Sequence, residues 1–132
     1  MAATHAAAFT QSRPWAEDEF ADLLRHPACF SSGNADCFAL VRVILDEAEL
    51  LTIATHPRCQ RQGLARACML KWQSTAHAFG ATRAFLEVAA DNSAAITLYQ
   101  SLGYEACGLR PGYYPRHGSE PVDAMVMARN LP

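Results

Sequence analysis

The order of periodic segments predicts an α+β domain of mixed α/β character, built on one largely antiparallel central sheet flanked by helices. Three observations carry that expectation. The chain has 132 residues, 51% of them apolar, which suits a single core and one domain over residues 1–132. Apolar residues recur at helical spacing in three stretches and gather in short runs elsewhere. Turn-forming residues separate several of the short runs closely enough for hairpins. The resulting order is helix, three strands, helix, strand, helix, two strands, with no repeat and no linker long enough to divide it.

The opening Met1 to Ser12 is alanine-rich without a clear period. From Pro14, suited to a first helical turn, acids lead the run to Leu24, and Phe20, Leu23 and Leu24 share one face; Pro27 ends the helix. Ala28 to Ser31 and Cys37 to Leu45 read as strands joined by the turn Ser32 to Asp36. Asp46-Glu47 makes a second turn before the strand Ala48 to Thr55, which His56-Pro57 ends. Leu64, Cys68, Trp72, Thr75 and Phe79 mark a helix that Gly80 stops. Ala84 to Ala89 is a strand, and Asp91-Asn92-Ser93 caps a helix over Ala94 to Leu102 before Gly103. The last strands, Tyr104 to Leu109 and Asp123 to Ala128, flank a loop from Arg110 to Pro121 that is rich in proline and glycine.

Composition excludes several classes. No apolar segment approaches the roughly 18 residues of a membrane helix, and the first residues lack a basic signal-peptide region, so the chain reads as soluble and cytoplasmic, without a membrane partner. Five widely spaced cysteines, with no C-x-x-C, fit neither a disulfide framework nor a zinc site. The five histidines show no metal-ligand spacing, so no metal is expected. A net charge of −2 gives no support for direct nucleic-acid binding.

Chemistry is concentrated where the third strand hands over to the second helix, in Arg58-Cys59-Gln60-Arg61-Gln62-Gly63-Leu64-Ala65-Arg66. A helix start presents unpaired N–H groups and the positive end of the macrodipole, so a basic turn with one glycine is suited to an anion. It is not a nucleotide P-loop, which needs a second glycine and a lysine, nor a dinucleotide turn, since Gly63 stands without the other glycines.

The pattern Gln60-x-x-Gly63-x-Ala65, following Leu50-Leu51-Thr52-Ile53-Ala54-Thr55-His56-Pro57, resembles the acetyl-CoA signature of the GNAT N-acetyltransferases. Phe85-Leu86-Glu87-Val88, the run Asp91 to Tyr99, and Ser101-Leu102-Gly103-Tyr104 resemble the strand, helix and turn that follow in that family. Tyr113-Tyr114-Pro115 and Asp123 to Met127, with Pro14-Trp15 and Phe20, are similar to the RimI branch, which acetylates ribosomal-protein alanines. The likeness covers about Pro14 to Leu131, with the amino-terminal part of the fold shortened. Ala65 stands in place of a second glycine, His56 where an acid often precedes the proline, and Pro111-Gly112 alters the acceptor-side segment.

The resemblance implies acetyl-CoA as cosubstrate and a protein N-terminus as acceptor, in the first instance a ribosomal protein. A lysine side chain or a small amine is the nearest alternative, and a non-catalytic acyl-CoA-binding module the alternative of another class. Ile53, Ala54 and Thr55 would hold the pantetheine arm through their backbone, and Arg61, Gln62, Gly63, Leu64, Ala65 and Arg66 the pyrophosphate. Asn92 would contact the cofactor arm, Glu87 would be the general base and Tyr99 the general acid. Retention of both Glu87 and Tyr99 favours an enzyme over a binding module. Each residue also has a plainer reading. Arg61 and Arg66 could be solvated charges, Glu87 the ion-pair partner of Arg83 or Arg110, Tyr99 a core tyrosine and Asn92 only a cap. Tyr113 and Tyr114 either line an acceptor channel or pack a loop.

Overall fold

The structure, a computed structural model, describes residues 17–60, 62–116 and 118–132, apart from the side chains of Phe20, Leu23 and Ser119. The start of the first helix at Pro14, the neighbouring Trp15, the shortened amino-terminal part and Arg61 lie outside the described residues. Helix α1 (Glu17–Arg25) carries Glu17, Asp18 and Glu19 at its positive end and Arg25 at its negative end, each where the macrodipole favours it.

Strands β1 (Cys29–Gly33), β2 (Cys37–Ile44) and β3 (Glu47–Thr55) form an antiparallel meander. The first turn is tighter than the sequence suggested. Ser32 and Gly33 still belong to β1, and the Asn34 side-chain oxygen accepts from Asp36 N (2.9 Å), a local bond that turns the chain within three residues. Gly33 has φ +102°, and a Cβ there would lie 2.2 Å from the Cys37 carbonyl oxygen. The second turn falls on Leu45 and Asp46, with Leu45 at φ 57°, so Glu47 opens β3 instead of closing the turn.

A short 3-10 turn (Pro57–Cys59) leads to helix α2 (Leu64–Ala78). Its buried residues Cys68, Met69, Trp72, Gln73 and Ala76 fall on one stripe, and Trp72 and Met69 are among the largest fully buried side chains. Gln73, the polar member, accepts from the Tyr104 hydroxyl at 2.7 Å, which removes the penalty of burying it. Strand β4 (Arg83–Ala89) and helix α3 (Ser93–Ser101) follow, and then the long strands β5 (Glu105–Arg116) and β6 (Ser119–Asn130).

The six strands lie in the order β1-β2-β3-β4-β6-β5, and only β3 and β4 run parallel. The stretch from Arg110 to Pro121 is a correction to the sequence reading, because most of it continues β5 and β6 instead of forming a loop. Position in the sheet explains this. β5 is an edge strand, where Pro111 and Pro115 leave no inner ladder bond unmade, and its register on β6 slips between Arg110 and Tyr114. Pro121 lies beyond the last β4 pairing, Ala89 with Ala124.

Two irregularities shape the centre of the sheet. Leu40 faces Thr52 while the next residue, Val41, faces Leu50, so Leu51 is an extra residue in β3. Such a bulge bends its strand. β3 pairs with β4 only from Glu47 to Leu50, against Arg83 to Leu86. Beyond Leu50 the two strands part, and the sheet opens into a wedge between Ile53–Thr55 and the Glu87 end of β4.

Candidate active site

Ile53, Ala54 and Thr55 pair with Ala39, Phe38 and Cys37 of β2 on one edge, and among the described residues no strand pairs with their other edge. Alternate residues of that edge, Ile53 and Thr55, turn main-chain groups away from β2 toward the gap, where an extended polar ligand can meet them. The wedge closes toward Leu50 and opens toward the turn leading to α2. Gln60 Nε2 donates to the Thr55 carbonyl oxygen at 3.3 Å, tying the turn to the strand end. Gly63 sits in the left-handed region at φ 75° as the cap of α2, with no side-chain cap bond, so the first N–H groups of the helix are left for another acceptor. Gln62, Gly63 and Arg66 are exposed and Leu64 and Ala65 half-buried beside this opening. Arg66 Nη1 donates to Ser101 Oγ at 3.1 Å, which links the start of α2 to the end of α3.

Glu87 stands on β4 between the buried Leu86 and Val88, so the alternation of a strand sends its side chain to the opposite face of the sheet. Leu86 and Val88 belong to the core cluster shared with Trp72 and Tyr99. Tyr99, on α3, is therefore on the other side of the wedge from the Glu87 carboxylate. Burial pushes the Tyr99 phenol well above its usual range, reinforced by Tyr114 and Cys37, so it remains a proton donor at any physiological pH.

Tyr114 lies between the two. Its hydroxyl donates to the Glu87 carbonyl oxygen at 3.4 Å, and burial, with the Glu87 carboxylate nearby, pushes it up to about 12. Tyr113 stands edge-on to Tyr114, ring centres 5.2 Å apart, and is half exposed. Arg110 Nη2 lies 3.1 Å from Glu87 Oε1, and Arg83 instead pairs with Glu47. Tyr114 thus meets the main chain of Glu87, and Tyr113 meets the arginine that pairs with its carboxylate. Asn92 caps α3, its Oδ1 accepting from Ala95 N at 3.2 Å.

Two features escaped the sequence. Cys37, beneath the wedge, accepts from the Thr55 hydroxyl at 3.2 Å, and the neighbouring Cys68 thiol brings it down to about 7 against the effect of burial. Cys68 is displaced upward by the same pairing. No spacing signals a pair drawn from a strand and a helix; only the packing of α2 on β2 makes it. The second is the bidentate contact of Arg116 with Asp91 (3.1 and 2.9 Å), which ties the far end of β5 to the loop before α3. Among the described residues there is no group of three or more His, Cys, Asp or Glu able to hold a metal ion. No helix among them is long and apolar enough to cross a membrane.

The sheet splits with a helix start at its mouth and with Glu87 and Tyr99 on its two sides, and sequence comparison assigns this fold. The profile described as the acetyltransferase (GNAT) family matches residues 4–104. The chain belongs to the GNAT family and is an N-acetyltransferase. It is 39% identical over 132 residues to the [ribosomal protein bS18]-alanine N-acetyltransferase of Escherichia coli strain K12, covering 96% of this chain and 88% of that protein. The crystal structure of the ribosomal-protein-S18-alanine N-acetyltransferase from Escherichia coli superposes with a TM-score of 0.88 at 35% identity, covering 98% of this chain and 84% of that one. Arabidopsis thaliana NAA60 in complex with acetyl-CoA shares the fold, with a TM-score of 0.77 at 15% identity over 92% of this chain and 86% of that one.

Proposed function

We propose that this enzyme moves the acetyl group of acetyl-CoA to the N-terminal α-amine of a protein, with the alanine terminus of a ribosomal protein as acceptor. The observation that carries the reading is the wedge, whose unpaired Ile53–Thr55 edge faces the Glu87 end of β4. The residues present fit the cosubstrate. The β3 edge offers main-chain partners to the pantetheine amides, and the turn with Gly63 to Arg66 offers helix N–H groups and positive charge to the pyrophosphate, where Arg61 and Gln62 also belong by sequence. Asn92 serves the cofactor arm through its amide nitrogen while its oxygen caps α3. The identity to alanine N-acetyltransferases over nearly the whole chain favours an α-amine acceptor. A ribosomal acceptor places the reaction in the cytoplasm.

Glu87 takes the proton of the acceptor ammonium, directly or through water, so that the nitrogen lone pair can attack the thioester carbon. An α-ammonium has a reference pKa of about 7.7 to 8.0 against about 10.4 for lysine, so less driving force is needed for the proposed acceptor. A β3 N–H between Thr52 and Ala54 holds the oxyanion that develops. Tyr99, on the other side of the wedge, protonates the leaving thiolate as the carbon–sulfur bond breaks. Base and acid on opposite faces match an amine and a thiol that approach and leave on opposite sides of one carbonyl. Tyr113 and Tyr114 line the acceptor approach.

The test is direct. The protein is incubated with acetyl-CoA and peptides copying ribosomal-protein amino ends, alongside lysine peptides with blocked ends, and the modified nitrogen is mapped by mass spectrometry. Acetyl on the α-nitrogen is expected. Modification confined to lysine rejects the acceptor, and CoA binding with no free thiol released to any amine rejects transfer.

A further inference from the structure

The Glu87 carboxylate already holds a cation. Arg110 Nη2 approaches Oε1 at 3.1 Å, and the glutamate side chain is 16% exposed while the arginine is 57% exposed. The guanidinium carbon also lies 5.2 Å from the centre of the Tyr113 ring. Arg110 is the last residue of β5 in register before the slip that precedes Tyr114, and Gly112, within the slip, is pinned by its N–H to Asp123 Oδ1 at 2.9 Å. The irregular backbone therefore sends Arg110 and Tyr113 to the same place, over the carboxylate.

We propose that Arg110 is a displaceable counter-ion: it occupies the position on Glu87 that the acceptor ammonium must take, and it swings away when the amine arrives. This rests on the reading of Glu87 as the acceptor-side base. Three observations support displacement over a fixed clamp. An arginine keeps its proton at all relevant pH, so it cannot itself relay a proton from the base. The closest approach to the carboxylate is Nη2 to Oε1 at 3.1 Å, longer than the 2.9 Å by which Arg116 Nη2 reaches Asp91 Oδ1 in its two-point grip. More than half of the arginine is open to water, and its ring partner Tyr113 is itself exposed, so it can leave without crossing packed side chains. Arg110 thus acts through Glu87, as a positioning residue that competes with substrate.

Competition has a signature that a structural ion pair lacks. A half-exposed pair is weak, so removing it should tighten acceptor binding by about two- to fivefold, and no more. Binding of a peptide with a free N-terminal alanine to the CoA-loaded protein is measured by calorimetry for wild type, Arg110→Ala, Glu87→Gln and the double variant. Arg110→Ala should bind the peptide more tightly, Arg110→Lys should restore the wild-type affinity by returning a cation, and Arg110→Ala should change nothing once Glu87 is glutamine. In turnover, KM for the peptide should fall in Arg110→Ala. Affinity that is unchanged or weaker in Arg110→Ala, with folding verified by thermal melting, overturns the proposal, as does equal tightening in the Glu87→Gln background or a peptide that no variant binds. The transfer reading is tested separately in the same samples. Acetylated peptide without the affinity pattern sinks the counter-ion alone, and the pattern without product sinks transfer alone.

Discussion

In the proposed mechanism Glu87 and Tyr99 divide the proton chemistry by their surroundings. The carboxylate is reached from the half-exposed face of the sheet and shares its oxygen with Arg110, whereas the phenol is sunk in the core cluster. Replacing Glu87 by Gln keeps the shape and removes the base, so kcat/KM should fall by about 10²-fold or more with acetyl-CoA affinity little changed, as read by steady-state kinetics and calorimetry. An unchanged rate at saturating substrates would show that the base lies elsewhere. Tyr99→Phe deletes one hydroxyl and keeps the ring in the core, so the melting temperature should hold within a few degrees while kcat drops by about 10-fold or more. A wild-type kcat would leave Tyr99 as a core residue. Glu87 was legible in the sequence as a lone carboxylate in an apolar strand. Its partner was not uniquely so, since Arg83 and Arg110 were equal candidates until the pairing of β3 with β4 gave Arg83 to Glu47.

At the scale of elements, the turn into α2 depends on Gly63. No atom lies within 4 Å of where its Cβ would be, so the change to Ala meets no clash, and its effect is the strain of a left-handed residue, about 1 to 2 kcal/mol. Relaxing that strain moves the helix start, and KM for acetyl-CoA should rise several-fold with kcat nearly kept; an unchanged KM would remove the turn from the cofactor site. The contact of Arg116 with Asp91 fastens β5 to the α3 loop, and those hydrogen bonds hold the Asp91 carboxyl below its ordinary range. The unfolded chain then binds more protons near pH 4 than the folded one, so this contribution is present above about pH 4 and is lost as pH falls through the lower folded value. Melting of Asp91→Asn should lie below wild type at pH 7 and converge with it on acidification. Parallel curves down to about pH 2 would contradict the assignment. Helix α2 was plain in the sequence because an apolar period of three to four, sustained over fifteen residues, suits a helix and no strand. The run through Pro111, Gly112 and Pro115 was misleading, because residues that break an inner strand are tolerated on an edge strand with a slipped register, and edge position is a property of the assembled sheet.

Across the whole molecule, the two halves of the sheet are joined by a short parallel contact of four residue pairs, so the helices packed on one face must hold them together. Trp72, fully buried in the cluster shared by β2, β4, α3 and Tyr104, is the largest side chain doing so. Trp72→Ala should cost about 3 to 5 kcal/mol by urea denaturation, a large share of the roughly 5 to 15 kcal/mol that holds an ordinary domain together. A loss under about 1 kcal/mol would mean the halves are held some other way. In the proposed complex acetyl-CoA lies in the wedge with its arm along β3 and its pyrophosphate on the start of α2. Amide hydrogen exchange with and without acetyl-CoA tests it most directly: exchange should slow at residues 53–55 and 62–66 and stay unchanged at residues 29–33 of the outer strand. Unchanged exchange in the first two segments, with protection appearing between β5 and β6 instead, would contradict it.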